Sequence, residues 1–311
     1  MARKKSNKFF GAFQIFFASI KTYFLYLDQC AKYLAFPIFG QLISLVLLLT
    51  ITYFFATNIE NIKNIHEFFN NDKHLLTTFY VIIAPFLLVF LKAFFNYLIA
   101  FCSLNILFFT NSKSKKSKNI DFCANDNVIK RKLPNYIFLL LIVSLCSIFP
   151  PILIFLSLCF QVFALEGDVS APKAFSRSFE LVKDNIIPTI IMIILCWGST
   201  YYFLPELFMW VSEKVSLSTF VLTKLEIFYS LLPIENYNEI LSNINMSTNV
   251  TELAMYSFYA MLSFVIIGFT LPFRCCCFTE LYRMYDSDKI KENSKSTDEI
   301  VKRATSKKGK N

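Results

Sequence analysis

A few polar residues set in long apolar stretches carry whatever chemistry this chain could do. Lys92, Asn96 and Gln161 lie inside apolar runs, and Glu206, Arg274 and Glu280 lie near the ends of others. A charge or amide inside a lipid-spanning helix is costly and tends to face a bundle interior or a water path, so each is a candidate for ion or solute passage. Each also has a plainer reading. Lys92 falls about 22 Å along a helix entered at Thr77, near the far interface, where an ammonium can snorkel to headgroups. Asn96 and Gln161 are of the type that hydrogen-bonds helix to helix. Glu206 follows Pro205 where water can solvate it, and Arg274 and Glu280 bracket the inner end of the last apolar run, placed to pair or to meet headgroups.

A second group is Glu166, Gly167, Lys173, Arg177, Ser178, Lys183 and Asn185. Ser170 is suited to cap a helix that has Pro172 in its first turn. Ala171, Phe175, Phe179 and Val182 then share one face, with Lys173, Arg177, Glu180 and Lys183 off it. Two readings follow. In one, Lys173, Arg177 and Lys183 rest on anionic headgroups while Phe175 and Phe179 dip into the acyl boundary. In the other, the helix packs beneath a bundle. Ser178 has no histidine near it in sequence to activate it, which argues against nucleophilic catalysis.

Metal and cofactor chemistry finds no footing. The two histidines, His66 and His74, sit in a polar loop far from any cysteine pair, and no CxxC spacing occurs among the nine cysteines. An odd count spread mostly through apolar segments reads as free thiols. Cys275, Cys276 and Cys277 fit either acylation or small core filler. Asn245-Met-Ser and Asn249-Val-Thr match glycosylation sequons, which an Asn-rich chain also produces by chance. The sequence holds no P-loop, GxGxxG or HExxH, so no catalytic residue, metal or cofactor is expected, and no enzyme.

The elements that must position these groups follow from composition. The 311 residues are 55% hydrophobic and only 17% charged, with 37 phenylalanines. A soluble domain carries about 25% charge. Uncharged runs long enough for membrane helices recur, which excludes a water-soluble enzyme, a disulfide scaffold and a disordered chain. The fold expected is all-α, an integral membrane bundle of about six helices with interfacial amphipathic helices. Residues 1–32 form the N-terminal part, whose Phe9, Phe13, Phe16, Phe17, Ile20, Phe24 and Leu27 recur at helical spacing and predict an interfacial helix. Its basic start lacks a small-residue cleavage site, so the N-terminus is expected to remain. Residues 33–285 form the membrane domain, with spans expected over about 33–56, 77–109, 134–149, 151–165, 186–211 and 253–281. Residues 110–133 and 212–252 are expected to be loops, and the charged tail 286–311 to be disordered.

Charge decides the count. Lys plus Arg number six in residues 1–32, seven in 110–133, three in 166–185 and nine from Tyr282 onward, against two each in 57–76 and 212–252. Cation-rich loops stay in the cytoplasm. Both termini are then cytoplasmic in a cell inner membrane, and the number of crossings is even. Evenness requires Pro150–Pro151 to turn the chain rather than bend one rod, as two helices over 134–149 and 151–165 that either cross fully or re-enter on one side.

Two stretches resemble a known family. Glu166, Gly167, Ala174, Arg177, Ser178, Leu181 and Asn185 match a recurring block of the YciC-like and glycerophosphodiester phosphodiesterase membrane-domain superfamily. Thr279, Leu281 and Tyr282 resemble its closing element, although Arg283, Met284 and Tyr285 replace the short acidic turn usual there. The resemblance implies a bacterial polytopic membrane protein of about six helices, with no catalytic role attached to the motif. Together these readings anticipate a structural or accessory envelope protein that contacts membrane lipids, through anionic headgroups at the cytoplasmic face, or a membrane-protein partner, and no nucleic acid. The alternative is a small-solute transporter or channel lined by Lys92, Asn96 and Gln161. A transporter would bring those groups to a water-accessible cavity; an accessory protein would hold them paired and dry.

Overall fold

A chain this apolar must satisfy its backbone internally. In the computed structural model it does so with helices, and no strand occurs among the described residues. Those are residues 8–28, 30–31, 34–35, 38–43, 46–47, 58–83, 104–106, 108–109, 122–146, 149–166, 169–231, 234, 238, 242 and 247–308. Much of the expected spans 33–56 and 77–109 lies outside them, as do Lys92, Asn96 and Gly167.

Helix α1 runs Lys8–Leu25. It packs on two later helices, α6 and α8, and so is part of the bundle. Ala12, Ser19 and Tyr23 are its buried stripe, whereas Phe17 and Phe24 point outward. The sequence spacing placed all the phenylalanines on one face; the structure divides them between a protein-facing and an outward-facing side. Short helical pieces follow at Ile59–Lys63, Glu67–Asn70, Asp72–Thr77 and Thr78–Ile83.

Helix α2 spans Phe122–Cys146. It starts within the stretch expected to be a basic loop, because once the apolar part is helical each added residue gains a hydrogen bond at little further cost. The adjacent prolines break the rod, as expected. Phe149 leaves helical geometry at φ −116° and ψ 85°, and α3 (Pro150–Phe155) begins with the prolines in its first turn. There the missing N–H groups would have had no intrahelical partner anyway. A further turn at 156–158 separates α4, Cys159–Leu165. Helix α2 packs against α3, and α5 (Ala171–Lys183) packs across α2, α3 and α4.

Two helices are long and apolar enough to cross a membrane among the described residues. Helix α6 covers Ile186–Lys214, and Val250–Ser287 is the apolar part of α8, which continues to Lys308. The continuation takes in the tail expected to be disordered. Its sequence sets Asp298 before Lys302 and Glu299 before Arg303, an i,i+4 order that favours helix. Helix α7, Leu217–Tyr229, lies inside the expected acidic loop and packs along α8. Ser216, at φ 58°, makes the left-handed turn that folds α7 back from α6.

The core gathers where α1, α2, α4, α5, α6 and α8 meet, around Tyr136, Leu139, Val162, Phe163, Leu181, Met192 and Leu281. Pro272 sits inside α8 and removes one backbone donor, and side chains serve the carbonyls just before it. The Tyr23 hydroxyl donates to the Phe269 carbonyl at 2.8 Å, and Arg274 donates to the Ile267 carbonyl at 3.0 Å. The closest approach is at Gly268, where a Cβ would lie 2.6 Å from Ile38 Cγ1. Gly198 has open space at the same position. Gly268→Ala is therefore expected to lower stability by about 1–3 kcal/mol. Gly198→Ala should be neutral or stabilising by up to about 1 kcal/mol. Unfolding midpoints of the two variants in detergent micelles check this pair.

Candidate functional site at the Arg177 end of the bundle

The second sequence group and the end of α8 meet at one place. Arg177, in the middle of α5, lies between three carboxylates. Its Nε reaches Glu166 Oε1 at 3.3 Å, Nη2 reaches Asp286 Oδ1 at 2.7 Å, and Nη1 lies 3.7 Å from Glu180 Oε2. The Tyr282 hydroxyl donates to the same Glu166 oxygen at 2.9 Å. One guanidinium thus ties the segment after α4, helix α5 and helix α8. Burial alone pulls the Arg177 proton affinity down; the Glu166 hydrogen bond and the charges of Glu166 and Asp286 outweigh it and hold the group above its ordinary value. It stays charged at any working pH.

The rest of the motif supports this clamp. Ala174, Ser178 and Leu181 are fully buried beneath it. Ser178 Oγ donates to the Phe155 carbonyl at 2.7 Å, which fastens α5 to the end of α3. Asn185 Nδ2 donates to the Leu181 carbonyl at 2.9 Å and closes the C-terminus of α5. The Asn185 carbonyl in turn accepts from the Tyr285 hydroxyl at 3.3 Å and from Thr189 Oγ1 at 2.8 Å. Lys173 and Lys183 are exposed on the other side of α5. The structure therefore separates the three cations grouped by the sequence: two face outward and Arg177 is spent on carboxylates.

A second polar cluster lies deeper. Gln161 Nε2 is 3.4 Å from Asn105 Oδ1, which also accepts from Thr279 Oγ1 at 2.8 Å. All three residues are fully buried, and Gln161 Oε1 and Asn105 Nδ2 each lack a partner. Gln161 thus meets two groups the sequence reading did not single out as site residues, Asn105 and Thr279. Arg274 and Glu280 do not pair with each other. Arg274 turns back to Ile267 and lies 5.9 Å from the Tyr201 ring centre, while Glu280 takes two bonds from Arg283 at 2.9 and 3.0 Å. Glu206 is exposed on α6.

Nothing in this arrangement builds a nucleophile. The Ser178 hydroxyl is committed to a backbone carbonyl, and His66 caps the turn at Phe68 through Nδ1 at 3.1 Å. Among the described residues no group of three or more His, Cys, Asp or Glu is placed to hold a metal. Cys30, Cys159, Cys196, Cys275, Cys276 and Cys277 are buried thiols joined in no disulfide. Burial pushes the Cys30 thiol up to about 12, helped by the nearby charge of Asp28, so it stays protonated and unreactive.

Asp286 and Tyr282 are the partners that sequence reasoning missed as site residues. The signal was present: Thr279, Tyr282 and Asp286 recur at i, i+3 and i+7, one stripe of a helix carried past the apolar segment. Ending the span at residue 281 hid it. Arg177→Gln is expected to cost about 1–2 kcal/mol, since Glu166 and Asp286 lose their shared counter-charge in a site about two-thirds buried. Glu166→Gln placed in the Arg177→Gln background should add little. Unfolding midpoints of the single and double variants read that coupling.

Searches for similar proteins found no matching family model, no matching curated protein and no matching solved structure.

Proposed function

We propose that this chain is a multi-pass membrane protein with a structural or accessory role in the cell envelope, in contact with lipids or a membrane-protein partner, and that it carries no catalytic activity. The observation that carries the reading is the state of its interior polar groups. Gln161 and Thr279 both bond Asn105 at no exposure, and Arg177 is held by carboxylates on three sides. A solute path would need such groups wetted and convergent. Here they join helices.

The membrane setting is supported by what faces outward. Only 28% of the apolar window of α6 is buried, unlike a core helix of a soluble protein, and Trp197, Tyr202, Phe203 and Trp210 are exposed along it. Apolar surface of that kind suits acyl chains, with Trp and Tyr toward the headgroups. The apolar part of α8 is 38 residues, about 57 Å of helix, so it exceeds a ~30 Å core and its Arg177-contacting end emerges into the interface. By the cation distribution that end is cytoplasmic, both termini lie on the same side of an inner membrane, and the crossings are even, about six in all. Lys173 and Lys183 remain free to meet anionic headgroups. The meeting of Arg177 and Tyr282 at Glu166 supports the resemblance to the YciC-like superfamily, since it joins the two matched stretches.

Thiol labelling in intact and permeabilised cells tests both parts. Gln161→Cys is expected to stay unlabelled by a membrane-impermeant maleimide under both conditions; labelling there would favour the transporter reading and overturn this one. Ser230→Cys should label in intact cells and Ser170→Cys only after permeabilisation. Labelling of Ser170→Cys in intact cells would overturn the orientation.

A further inference from the structure

Helix α7 has three sides, where an ordinary surface helix has two. The first meets the bundle. Ser218 is buried, Leu222 and Leu225 are half-buried, and the Tyr229 hydroxyl shares a hydrogen bond with Ser257 on α8. The second is a polar stripe of Thr219, Thr223, Glu226 and Ser230, of which the two threonines and Ser230 are exposed. The third is a stripe of Leu217, Phe220, Lys224, Ile227 and Leu231, with Phe228 beside it. It is apolar but for Lys224, and its apolar members are each at least 53% exposed.

The neighbourhood of the third side points to its occupant. Trp210, Val211 and Val215 are exposed, so outward-facing apolar residues lead from the α6 strip, across the Ser216 turn, to α7. Lys214 and Lys224 are the two cations of residues 212–252, and both lie over exposed rings one turn earlier. Lys214 Nζ is 6.0 Å from the Trp210 ring centre and Lys224 Nζ is 5.9 Å from that of Phe220. A long stem laid along an apolar side with its ammonium at the end is the arrangement that reaches lipid phosphates from the acyl boundary. The carboxylate of this helix, Glu226, falls on the polar side. A polar stripe and an apolar stripe, both open, place the helix where water meets oil. A second copy of the chain fits less well. Lys224 stands at the middle of the apolar stripe, so a two-fold pairing of that stripe with itself would set two ammoniums face to face. We propose that α7 is a surface anchor in the outer leaflet, with its apolar stripe among acyl chains, Lys214 and Lys224 at phospholipid phosphates, and the Thr219–Ser230 stripe in water. The proposal rests on the membrane reading above and converts a segment expected to be an external loop into a lipid contact.

The test uses the full chain reconstituted in phosphatidylcholine vesicles, with an environment-sensitive fluorescent amino acid replacing Ile227, Thr223 or Tyr202, one at a time. All three positions lie on the surface, and Tyr202 reports the α6 strip. At positions 227 and 202 the emission is expected to shift to the blue and to be lost when nitroxide-labelled phosphatidylcholine is added. At position 223 it should stay red and be lost to iodide placed on both sides of the bilayer. Lipid quenching at 202 without quenching at 227 overturns the proposal and leaves the membrane reading; quenching at neither removes both. Blue emission at 227 that nitroxide lipid leaves intact assigns the stripe to a protein contact and also overturns the proposal. So does equal lipid quenching at 223 and 227, which would immerse the whole helix.

Discussion

Arg177 is the point on which the arrangement of the helices turns. A guanidinium has donors on three sides and cannot shed its charge. In a partly buried site it takes acceptors from more than one direction. Here the acceptors come from the segment after α4, from α5 itself and from α8. Glu166 and Glu180 are near Arg177 in sequence and Asp286 is 109 residues away, so the cation ties α8 to the consecutive α4–α5 segment. A lysine there would be a point charge and could not serve three carboxylates with the same fixed geometry. Remove the charge, and Glu166 and Asp286 face each other with nothing between them.

The clamp stands at the end of the molecule where apolar surface gives way to charge. Below it, packing is by small residues and close approach: Ala171, Ala174 and Ser178 let α5 lie on its neighbours, and Gly268 lets α8 approach Ile38. Bundles in lipid gain nothing from hiding oil from oil. Association there depends on shape and on hydrogen bonds between helices, and the Asn105–Gln161–Thr279 cluster and the Tyr23 bond to the Phe269 carbonyl are bonds of that kind. A polar cleft lies beside the clamp, and an aromatic strip on α6 faces outward.

The amino-acid order alone pointed to an all-α fold, to an interruption at Pro150 and Pro151, and to long apolar segments at 186–211 and 253–281, which the described residues carry as helices Ile186–Lys214 and Val250–Ser287. These are local properties: hydrogen-bond donors missing at proline, apolar runs of a given length and charge placement need no knowledge of neighbours. The same reasoning began a helix too late at 134, ended one too early at 281 and read a loop where α7 lies. Lysines and glutamates interrupt the apolar pattern there while the helix continues, and helix α7 owes its place to packing along α8. Only the tertiary structure decided that Arg177 faces Asp286 rather than lipid, that Gln161 meets Asn105 and Thr279, and that Arg274 and Glu280 part company. Those pairings join residues up to 174 positions apart, and no spacing rule reaches that far; which charge meets which carboxylate depends on how the helices cross once their small residues have brought them together.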